Sequence, residues 1–429
     1  MTNKAEAETV KHASYDIVIV GGGIVGASLA CLLAQGEREI SIALVDAEIN
    51  ANSFTGETFD PRVVALSKAS EAILRKIDVW EDIVAMRACP YFEMHVWDAE
   101  GTGGIHFDSA DIHADNLGHI IENNVAVAAL YKKINAGSNN IEFMAGSAVE
   151  QLELASPGDI KSADATPSLT RGVLTLADGR VLSAPIIIGA DGARSEMRVL
   201  AGLETREWQY GHSAIVTTVT TELPHQYAAW QRFSTAGPLA FLPLVSGDQN
   251  AASRPSHQCS IVWSITSALS EQMMALSTAD FCQALGRAFE GKLGKVLSSD
   301  QRHCIPLSQR HATRYTAPGF AVIGDAAHTI HPLAGQGANL GIYDAKVLAE
   351  EIIRALERKV SLDDASILKR YQRIRQPHNL LAMTTMEGFK RLFEAQDPGL
   401  RWLRNTGLTF FDNQGWLKKQ MSKLASGQM

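Results

Sequence analysis

The segment Tyr15–Glu48 constrains the fold of this chain more than any other part of the sequence. A run of four β-branched residues leads into a G-x-G-x-x-G turn, residues 21–26, and a helix-compatible stretch and a second apolar strand follow. In such a turn Gly21 permits the tight bend, Gly23 lets a phosphate approach the backbone, and Gly26 lets the helix pack closely on the strand. The segment therefore predicts a Rossmann-like βαβ unit that binds a dinucleotide through its pyrophosphate.

The end of the second predicted strand supports this interpretation. Asp46 follows Gly26 by 20 residues, which is the usual position of a carboxylate that accepts hydrogen bonds from the adenosine ribose. The uncharged stretch Ile17–Gly36 is about long enough to span a membrane. Its internal glycine turn instead favours a strand, a turn and a helix.

Composition limits the class of protein. At 429 residues the chain exceeds the usual size of a single core, so we expect two connected domains or one large domain with an inserted layer. The net charge of −8 argues against a nucleic-acid partner, because phosphate binding depends on Lys and Arg. The five cysteines are an odd number without a C-x-x-C pair. Their pattern fits neither a disulfide framework nor a cysteine-ligated zinc site, and it predicts reduced, buried thiols in a cytosolic protein.

Two distant segments decide which dinucleotide is bound. An apolar strand runs into G-A-D-G-x-x-S-x-x-R at 189–198, and Gly324-Asp325 precedes a glycine-rich stretch at 335–341. Asp325 can bind ribityl hydroxyls. The backbone amides at the start of a helix after Gly337 present the positive end of the helix dipole to the edge of an electron-rich ring. The late segment therefore favours FAD over NAD.

Periodicity predicts the remaining elements. Helices are expected at 65–84, 120–134, 278–289, 341–356 and over most of 362–424, strands at 91–108, 141–143, 148–154, 172–176, 181–182, 239–245, 259–265 and 320–323, and polar loops at 155–171 and 246–257.

Together these motifs resemble the flavin aromatic hydroxylases typified by para-hydroxybenzoate hydroxylase. Further segments are similar to the hydroxylases of aerobic ubiquinone biosynthesis, nearest to the 2-polyprenylphenol hydroxylases, over roughly residues 14–400. These segments are 60–67 (DPRVVALS), 117–123 (LGHIIEN), 241–244 (FLPL), 261–264 (IVWS) and 328–337 (HTIHPLAGQG).

The resemblance implies an α/β fold in which a Rossmann-like FAD-binding domain is interleaved with a β-sheet substrate domain and followed by a helical C-terminal region. We expect the FAD-binding domain at 14–90, 112–203 and 306–358, the substrate domain at 91–111 and 204–305, and the helical region at 359–429.

The resemblance also implies the reaction. NADPH or NADH reduces FAD, and O₂ supplies the oxygen atom that enters an electron-rich phenol ring, without a metal. The residues expected to contact the cofactor are Gly21, Gly23, Gly26, Asp46, Arg62, Asn123, Asp191, Gly192, Asp325, Gly335, Gly337 and Asn339.

The catalytic and substrate residues are less constrained by this chemistry. His331 and Pro332 are expected beside the flavin ring, and His328 or His331 could move a proton. The alternative is that both histidines shape their loop. Three other positions, Phe241, Pro243 and Trp263, form either a wall of the substrate cavity or ordinary sheet core.

Ring position 5 is the predicted site of hydroxylation, and positions 6 and 1 are the alternatives. Other readings are a flavin reductase of isoprenoid substrates, an inactive FAD-binding scaffold and a plain NAD-dependent dehydrogenase.

A polyprenyl tail requires an apolar tunnel and access to a membrane surface. The aromatic and basic C-terminal region either docks on the inner face of the cytoplasmic membrane or packs on the FAD domain. Other ubiquinone-biosynthesis proteins are further expected partners.

Overall fold

The structure is a computed structural model, and it describes residues 12–36, 38–48, 54–99, 103–137, 140–154, 171–246, 256–330 and 336–394. Its strands are β1 (His12–Ser14), β2 (Ile17–Val20), β3 (Ile42–Asp46), β4 (Val63–Ser67), β5 (Cys89–Tyr91), β6 (Glu93–Asp98), β7 (Gly104–Asp108), β8 (Gly118–Glu122), β9 (Ile141–Ala145), β10 (Val149–Glu153), β11 (Gly172–Leu176), β12 (Val181–Ala184), β13 (Ile186–Gly189), β14 (Thr205–Thr221), β15 (Ala228–Phe233), β16 (Leu239–Pro243), β17 (Gln258–Thr266), β18 (Val296–Ser299), β19 (His303–Ala312), β20 (Thr316–Ala317), β21 (Phe320–Val322) and β22 (His328–Thr329). Its helices are α1 (Ile24–Ala34), α2 (Lys68–Lys76), α3 (Trp80–Met86), α4 (Asn123–Gly137), α5 (Glu196–Leu200), α6 (Ser267–Ala275), α7 (Thr278–Ala288), α8 (Gln336–Glu357) and α9 (Ser366–Glu394).

The predicted βαβ unit forms the centre of a six-stranded sheet with the order β20-β21-β13-β2-β3-β9. All neighbours are parallel except the pair β20 and β21. Strands β2, β13 and β21 are buried along their whole length, which explains their continuous apolar sequences, because helices cover both faces of such sheets. The carboxyl ends of β2, β13 and β21 lie side by side, so the three sequence motifs that follow them meet at one edge.

A second, larger sheet has nine strands in the order β22-β19-β14-β17-β16-β15-β6-β7, with β18 paired to β14. An apolar core around α7 covers one of its faces. Two smaller sheets, β1-β12-β11-β10 and β4-β8-β5, complete the described architecture. The strands from 91–111 and 204–305 join the large sheet, but β19 runs across the expected boundary at residue 305. The domain boundaries stay a prediction.

Three predicted helix boundaries are wrong. Residues 65–67 belong to β4, and the helix predicted to continue to 84 is interrupted at Asp78, whose φ is 55°. Residues 120–122 belong to β8, which pairs with β4. Helix α8 begins at Gln336, five residues before the predicted start. The loop predicted at 155–171 and the helix predicted beyond 394 lie almost wholly outside the described residues.

The cysteines and the apolar stretches bear on two other expectations. All five thiols are free, and four are buried, but Cys304 is exposed, so the expectation of burial is wrong at that position. The segment Ile17–Gly36 forms β2 and α1 as predicted. Within the described ranges, no helix combines the length and the apolar composition needed to cross a membrane.

Candidate active site

The glycine turn after β2 is open on one side and closed on the others. A Cβ atom at Gly21 would lie 2.3 Å from the Ala190 carbonyl oxygen, and one at Gly26 would lie 2.0 Å from the Gly21 carbonyl oxygen. At Gly23 a Cβ atom would meet no atom within 4 Å. Helix α1 starts directly after Gly23, so its first amides point into this open space and can bind a phosphate. This cradle fits the pyrophosphate of FAD.

Asp46 is fixed beside this turn. Its carboxylate accepts hydrogen bonds from the amides of Gly22, at 2.6 Å, and Glu48, at 2.8 Å. The Tyr131 hydroxyl lies against the same glycine and has no hydrogen-bond partner among the described residues. Burial, and then the charge of Asp46, raise the pKa of Tyr131, so its hydroxyl stays protonated. A carboxylate and a buried hydroxyl donor at the same point suit the hydroxyl groups of a ribose.

The backbone amide of Asp191, and not its side chain, lies beside the glycine turn. Its side chain accepts hydrogen bonds from the Ser195 hydroxyl, at 2.5 Å, and the Met197 amide, at 3.0 Å, at the start of α5. The Asp191 amide nitrogen would lie 2.7 Å from a Cβ atom on Gly21. The next residue, Gly192, has a φ of 81° and open space around it. The second motif therefore lies against the first, with the Asp191 side chain used to hold the turn.

Arg198 ends this motif, and the sequence interpretation assigned no role to it. Its guanidinium is buried and donates a hydrogen bond of 2.8 Å from Nη1 to the Ala326 carbonyl and one of 3.4 Å from Nη2 to the Ala193 carbonyl. Arg198 thereby ties the second motif to the Gly324-Asp325 loop. The last position of the G-A-D-G-x-x-S-x-x-R pattern was the signal that could have identified it.

The early and late glycine segments converge. A Cβ atom on Gly324, whose φ is 60°, would lie 3.2 Å from the Val25 side chain of α1. One on Gly341 would lie 2.6 Å from the same side chain. Because both glycines lack a side chain, α8 and the Gly324-Asp325 loop approach α1 closely, although Gly26 and Gly324 are 298 residues apart.

Asp325 occupies the cleft that results. Asp325 has solvent-accessible surface, but the surrounding protein removes enough water from its carboxyl group to raise the pKa of that group. The charge of His328 lowers this pKa, and the charge of Asp344 raises it. A Cβ atom on Gly337 would lie 3.7 Å from Asp325 Oδ1. The carboxyl group and the first turn of α8 therefore face the same space, as the predicted roles of Asp325 and Gly337 require.

His328 lies behind this loop. It is fully buried, and its Nε2 lies 2.5 Å from Asp344 Oδ2. Asp344 also accepts hydrogen bonds from the Gly324 amide, at 3.0 Å, the Arg375 Nε, at 2.7 Å, and the Asn379 amide group, at 3.0 Å. This geometry favours the alternative that His328 shapes the loop. His331, Pro332 and Gly335 lie outside the described residues.

Asn339 connects α8 to the small β4-β8-β5 sheet. Its side-chain oxygen accepts hydrogen bonds from the Ser67 amide, at 2.9 Å, and the Ser70 hydroxyl, at 2.7 Å, and its amide group donates to the Ala65 carbonyl at 2.8 Å. The side chain is thus engaged by the protein, and its effect on a flavin would pass through the position of α8.

Arg62 and Asn123 lie together at the other end of the β4·β8 pair. The Asn123 amide donates to the Arg62 carbonyl at 2.8 Å. The Arg62 side chain is 67% exposed, and its Nε lies 3.5 Å from Asp60 Oδ1. A cofactor phosphate or ring edge could reach this guanidinium.

The three predicted substrate residues all lie in sheet core. Phe241 is fully buried and stacks on Phe289, with ring centroids 3.7 Å apart, and Trp263 packs beside Phe281 at 6.4 Å. Pro243 is buried in β16 and pairs with Cys259 of the neighbouring strand β17. This is the face of the large sheet that α7 covers.

Leu242 is on the opposite face of β16, and Leu244 follows the end of this strand. They pack in a cluster between the large sheet and the small β4-β8-β5 sheet, which we call the inter-sheet cluster. Its buried members are Cys89, Ile120 and Leu244, and its half-buried members are Phe59, Val63, Ala65, Tyr91, Tyr227, Leu242 and Val245.

A cavity of about 700 Å³ lies elsewhere, lined by Asp16, Arg38, Ile40 and Leu356 among others. Asp16 and Ile40 precede β2 and β3, so this cavity is at the amino ends of the parallel strands. Ligands of such sheets bind at the carboxyl ends, and the three motifs all lie there.

A parallel sheet with a glycine cradle, a ribose-side carboxylate and a late aspartate loop defines an FAD-binding protein. A family model described as "FAD binding domain" matches residues 14–385, and the chain belongs to this family. The solved structure of p-nitrophenol 4-monooxygenase PnpA from Pseudomonas putida shares the fold, with a TM-score of 0.74, 19% identity and coverage of 96% of this chain and 97% of that one. PqsL from Pseudomonas aeruginosa has a TM-score of 0.72 at 21% identity, over 93% of this chain and 100% of that one.

Within this family the chain belongs to the ubiquinone-biosynthesis hydroxylases. It is 34% identical to the 3-demethoxyubiquinol 3-hydroxylase of Escherichia coli, over 96% of this chain and 98% of the relative. It is 32% identical to the ubiquinone biosynthesis monooxygenase COQ6 of Xenopus tropicalis, over 96% and 94%, and 31% identical to the ubiquinone hydroxylase UbiL of Rhodospirillum rubrum, over 96% and 90%. The predicted fold class, FAD dependence and monooxygenase class are confirmed. NAD(P)H is the co-substrate typical of this family.

Proposed function

We propose that this chain hydroxylates the aromatic ring of a polyprenylated phenol, at ring position 5, in ubiquinone biosynthesis. The observation that carries ring hydroxylation in this pathway is the similarity to ubiquinone-biosynthesis hydroxylases, at 34% and 32% identity over 96% of this chain. The choice of position 5 rests on the resemblance of residues 60–67, 117–123 and 328–337 to the 2-polyprenylphenol hydroxylases. In the balanced reaction NAD(P)H, a proton, O₂ and the aromatic C–H compound yield NAD(P)⁺, water and the phenol with one added hydroxyl. When bound, FAD passes the electrons of NAD(P)H to O₂.

Different residues of the cleft would bind different parts of the cofactor. Gly23 and the first amides of α1 would hold the pyrophosphate, and Asp46 the adenosine ribose. Asp325 would hold the ribityl chain, and the first turn of α8 after Gly337 would face the ring. The support for this division is the open space at Gly23 and the shared orientation of Asp325 and Gly337.

The other predicted cofactor residues have distinct proposed roles. Arg62 would offer an exposed cation to the cofactor, and the Asn123 amide holds the Arg62 backbone through its hydrogen bond to the Arg62 carbonyl. Asp191 and Asn339 hold the turn and helix that form the cleft walls. A proton-transfer role for His331, with Pro332 beside the ring, stays a prediction.

The inter-sheet cluster is the proposed site of the substrate ring and the start of its prenyl tail. Binding sites for such ligands are concave and lined mostly by apolar side chains. The cluster offers this lining next to Ala65, and the carbonyl of Ala65 is tied to Asn339 of α8. In this proposal Leu242 forms the cavity wall, which was one of the two alternatives that the sequence left open for Phe241.

A direct test uses the purified holoenzyme with NADPH or NADH and ¹⁸O₂. Its visible spectrum and an extraction of the cofactor first establish bound FAD. A prenylated phenol that lacks the hydroxyl at position 5 is then supplied, and mass spectrometry locates the label. We expect one ¹⁸O atom at position 5. Substrate-stimulated NAD(P)H oxidation without label in the product would refute the hydroxylase proposal.

A second candidate reaction is hydroxylation of a demethoxyubiquinol. The name of the Escherichia coli relative favours it. Supplying both substrates in competition separates the two reactions, because label confined to the demethoxyubiquinol product would overturn the assignment to position 5.

Contact with a membrane surface and with other ubiquinone-biosynthesis proteins is also proposed. Leu380 and Leu381 of α9 support the first, since they are 47% and 66% exposed. Co-sedimentation of the holoenzyme with vesicles that contain anionic lipid would test it, and a Leu381→Ser variant should co-sediment less.

A further inference from the structure

The hairpin of β6 and β7, at the edge of the large sheet, carries a group of side chains that no step of the proposed reaction uses. Glu93 and His95 are two residues apart on β6, so both side chains project from the same face. His95 pairs directly with His106 on β7. The register of two strands therefore brings a carboxylate and two imidazoles together.

The potential ligand atoms of these residues converge. The Glu93 Oε2 lies 3.1 Å from His95 Nε2 and 2.9 Å from His106 Nε2, and the three ligand atoms all lie within 4.8 Å of one another. In a tetrahedral site with metal–ligand distances of about 2.0–2.2 Å, ligand atoms are separated by roughly 3.3 Å. Small rotations of the side chains would bring the observed separations to that value.

The surroundings hold the rings in place while leaving them accessible. The His95 ring stacks on Trp230, with centroids 4.0 Å apart, and on His106, with centroids 4.5 Å apart. The side chains of His95, Glu93 and His106 are 28%, 42% and 42% exposed. An ion can therefore reach the site from solvent and find its ligand atoms close together.

We propose that Glu93, His95 and His106 bind a divalent transition metal ion, Zn²⁺ in the first instance. Two imidazoles and one carboxylate suit zinc, with a water molecule in the remaining position. Asp108 lies opposite Glu93 in the register, but its Oδ1 caps the following turn at the Ala110 amide, so we do not count it as a ligand.

The position of the site indicates what the ion does. His95 is opposite Trp230, and Trp230 is opposite Phe241, so the site is on the face of the sheet that α7 covers. This is the face opposite the inter-sheet cluster. The ion therefore joins β6 to the edge strand β7 and stabilises the hairpin, and it takes no part in oxygen transfer.

The test is equilibrium dialysis of the untagged, chelator-treated holoenzyme against ZnCl₂, followed by metal analysis. We expect one Zn²⁺ per chain and a higher melting temperature with Zn²⁺ than with Mg²⁺, which prefers six oxygen ligands. The variants His106→Gln and Glu93→Gln should each weaken binding at least about tenfold. Gln at position 93 can still accept a hydrogen bond from a histidine, so this variant separates metal binding from a hydrogen-bonded cluster.

His378→Gln is the matched control, because His378 is an exposed histidine on α9 and does not belong to the cluster of Glu93, His95 and His106. Its zinc affinity should equal that of the unmodified protein. Stoichiometry below about 0.1 per chain at micromolar Zn²⁺, or binding that both hairpin variants retain, would show that the three residues form hydrogen bonds alone and would overturn the proposal.

Discussion

Gly23 and Gly26 are three residues apart in one turn, and an added methyl group would meet different surroundings at each. Gly23 has a φ of −65°, which any residue adopts, and open space at its Cβ position. We expect Gly23→Ala to change the free energy of unfolding of the apoprotein by less than about 0.5 kcal/mol. FAD affinity should fall at least about tenfold, because the methyl group occupies the approach to the phosphate.

Gly26→Ala is the paired variant with the opposite expectation. Its Cβ would lie 2.0 Å from the Gly21 carbonyl oxygen, so helix and strand must separate. We expect a loss of about 1–3 kcal/mol in the apoprotein, measured by urea unfolding. Equal destabilisation by the two variants would contradict the division of roles within the turn.

At the residue scale, the sequence predicted backbone roles better than side-chain contacts. The glycines that permit close approach follow a local pattern, so Gly21, Gly23 and Gly26 could be assigned directly. The Asn339 side chain instead bonds to the Ser67 amide, which is 272 residues away in sequence. No local pattern specifies such a partner, and for this reason the direction of that side chain could not be predicted.

Strand β16 provides a test at the scale of one element, because adjacent residues lie on opposite faces of the large sheet. Phe241→Ala should cost about 3–5 kcal/mol of stability, since it empties a fully buried position against Phe289. Its effect on the KM for the phenol should be small. Leu242→Ala should raise that KM about tenfold and have less effect on unfolding, because Leu242 is half-buried in the inter-sheet cluster.

Urea unfolding and steady-state kinetics on the two variants check this assignment. If Phe241→Ala raised the KM and Leu242→Ala did not, the substrate would lie on the α7 side of the sheet, as the sequence interpretation allowed.

Helix α9 is attached to the Gly324-Asp325 loop through Asp344, and this attachment should depend on pH. Burial alone would raise the pKa of Asp344, but the charge and hydrogen bond of His328, followed by the charge of Arg375, lower it from 3.8 to about 2. A carboxyl whose pKa is lower in the folded state stabilises the fold above its ordinary pKa, and this stabilisation is lost as pH falls from about 4 towards 2.

The variant Asp344→Asn tests this dependence. It leaves Arg375 buried without its charged partner, so we expect a loss of about 3–5 kcal/mol near neutral pH. Its stability should also fall less steeply than that of the unmodified protein between pH 4 and 2. Parallel pH profiles of the two proteins, measured by urea unfolding, would contradict the role of Asp344.

Boundaries between elements depended on tertiary pairing that periodicity does not report. The residues Ile120–Glu122 have the spacing of a helix and directly precede α4, yet they pair with β4 in a sheet. Ile120 and Ile121 are β-branched and favour a strand, but a helix tolerates them. The pairing with Val63–Ala65 places them in the strand, and that pairing joins segments about 57 residues apart in sequence.

At the scale of the whole molecule, FAD should connect the early glycine turn at residues 21–26 to the late loop at residues 324–329. The first amides of α1 and the Gly324-Asp325 loop border one cleft, and Val25 packs against Gly324 and Gly341 there. Addition of FAD to the apoprotein should therefore slow amide exchange in residues 21–26 and 324–329 together. At FAD concentrations about 100-fold above Kd, exchange through openings that release the cofactor should slow about 100-fold.

Helix α7 provides the internal control in the same exchange experiment, because it packs on the face of the large sheet away from the inter-sheet cluster. Local openings of α7 leave the cofactor bound, so its exchange through them should not change with FAD. Protection of residues 21–26 without protection of 324–329 would mean that the late loop does not share the cofactor. If FAD protects both segments from amide exchange, and if Gly23→Ala removes the protection of both, the two segments bind the same molecule. These segments are 298 residues apart in sequence.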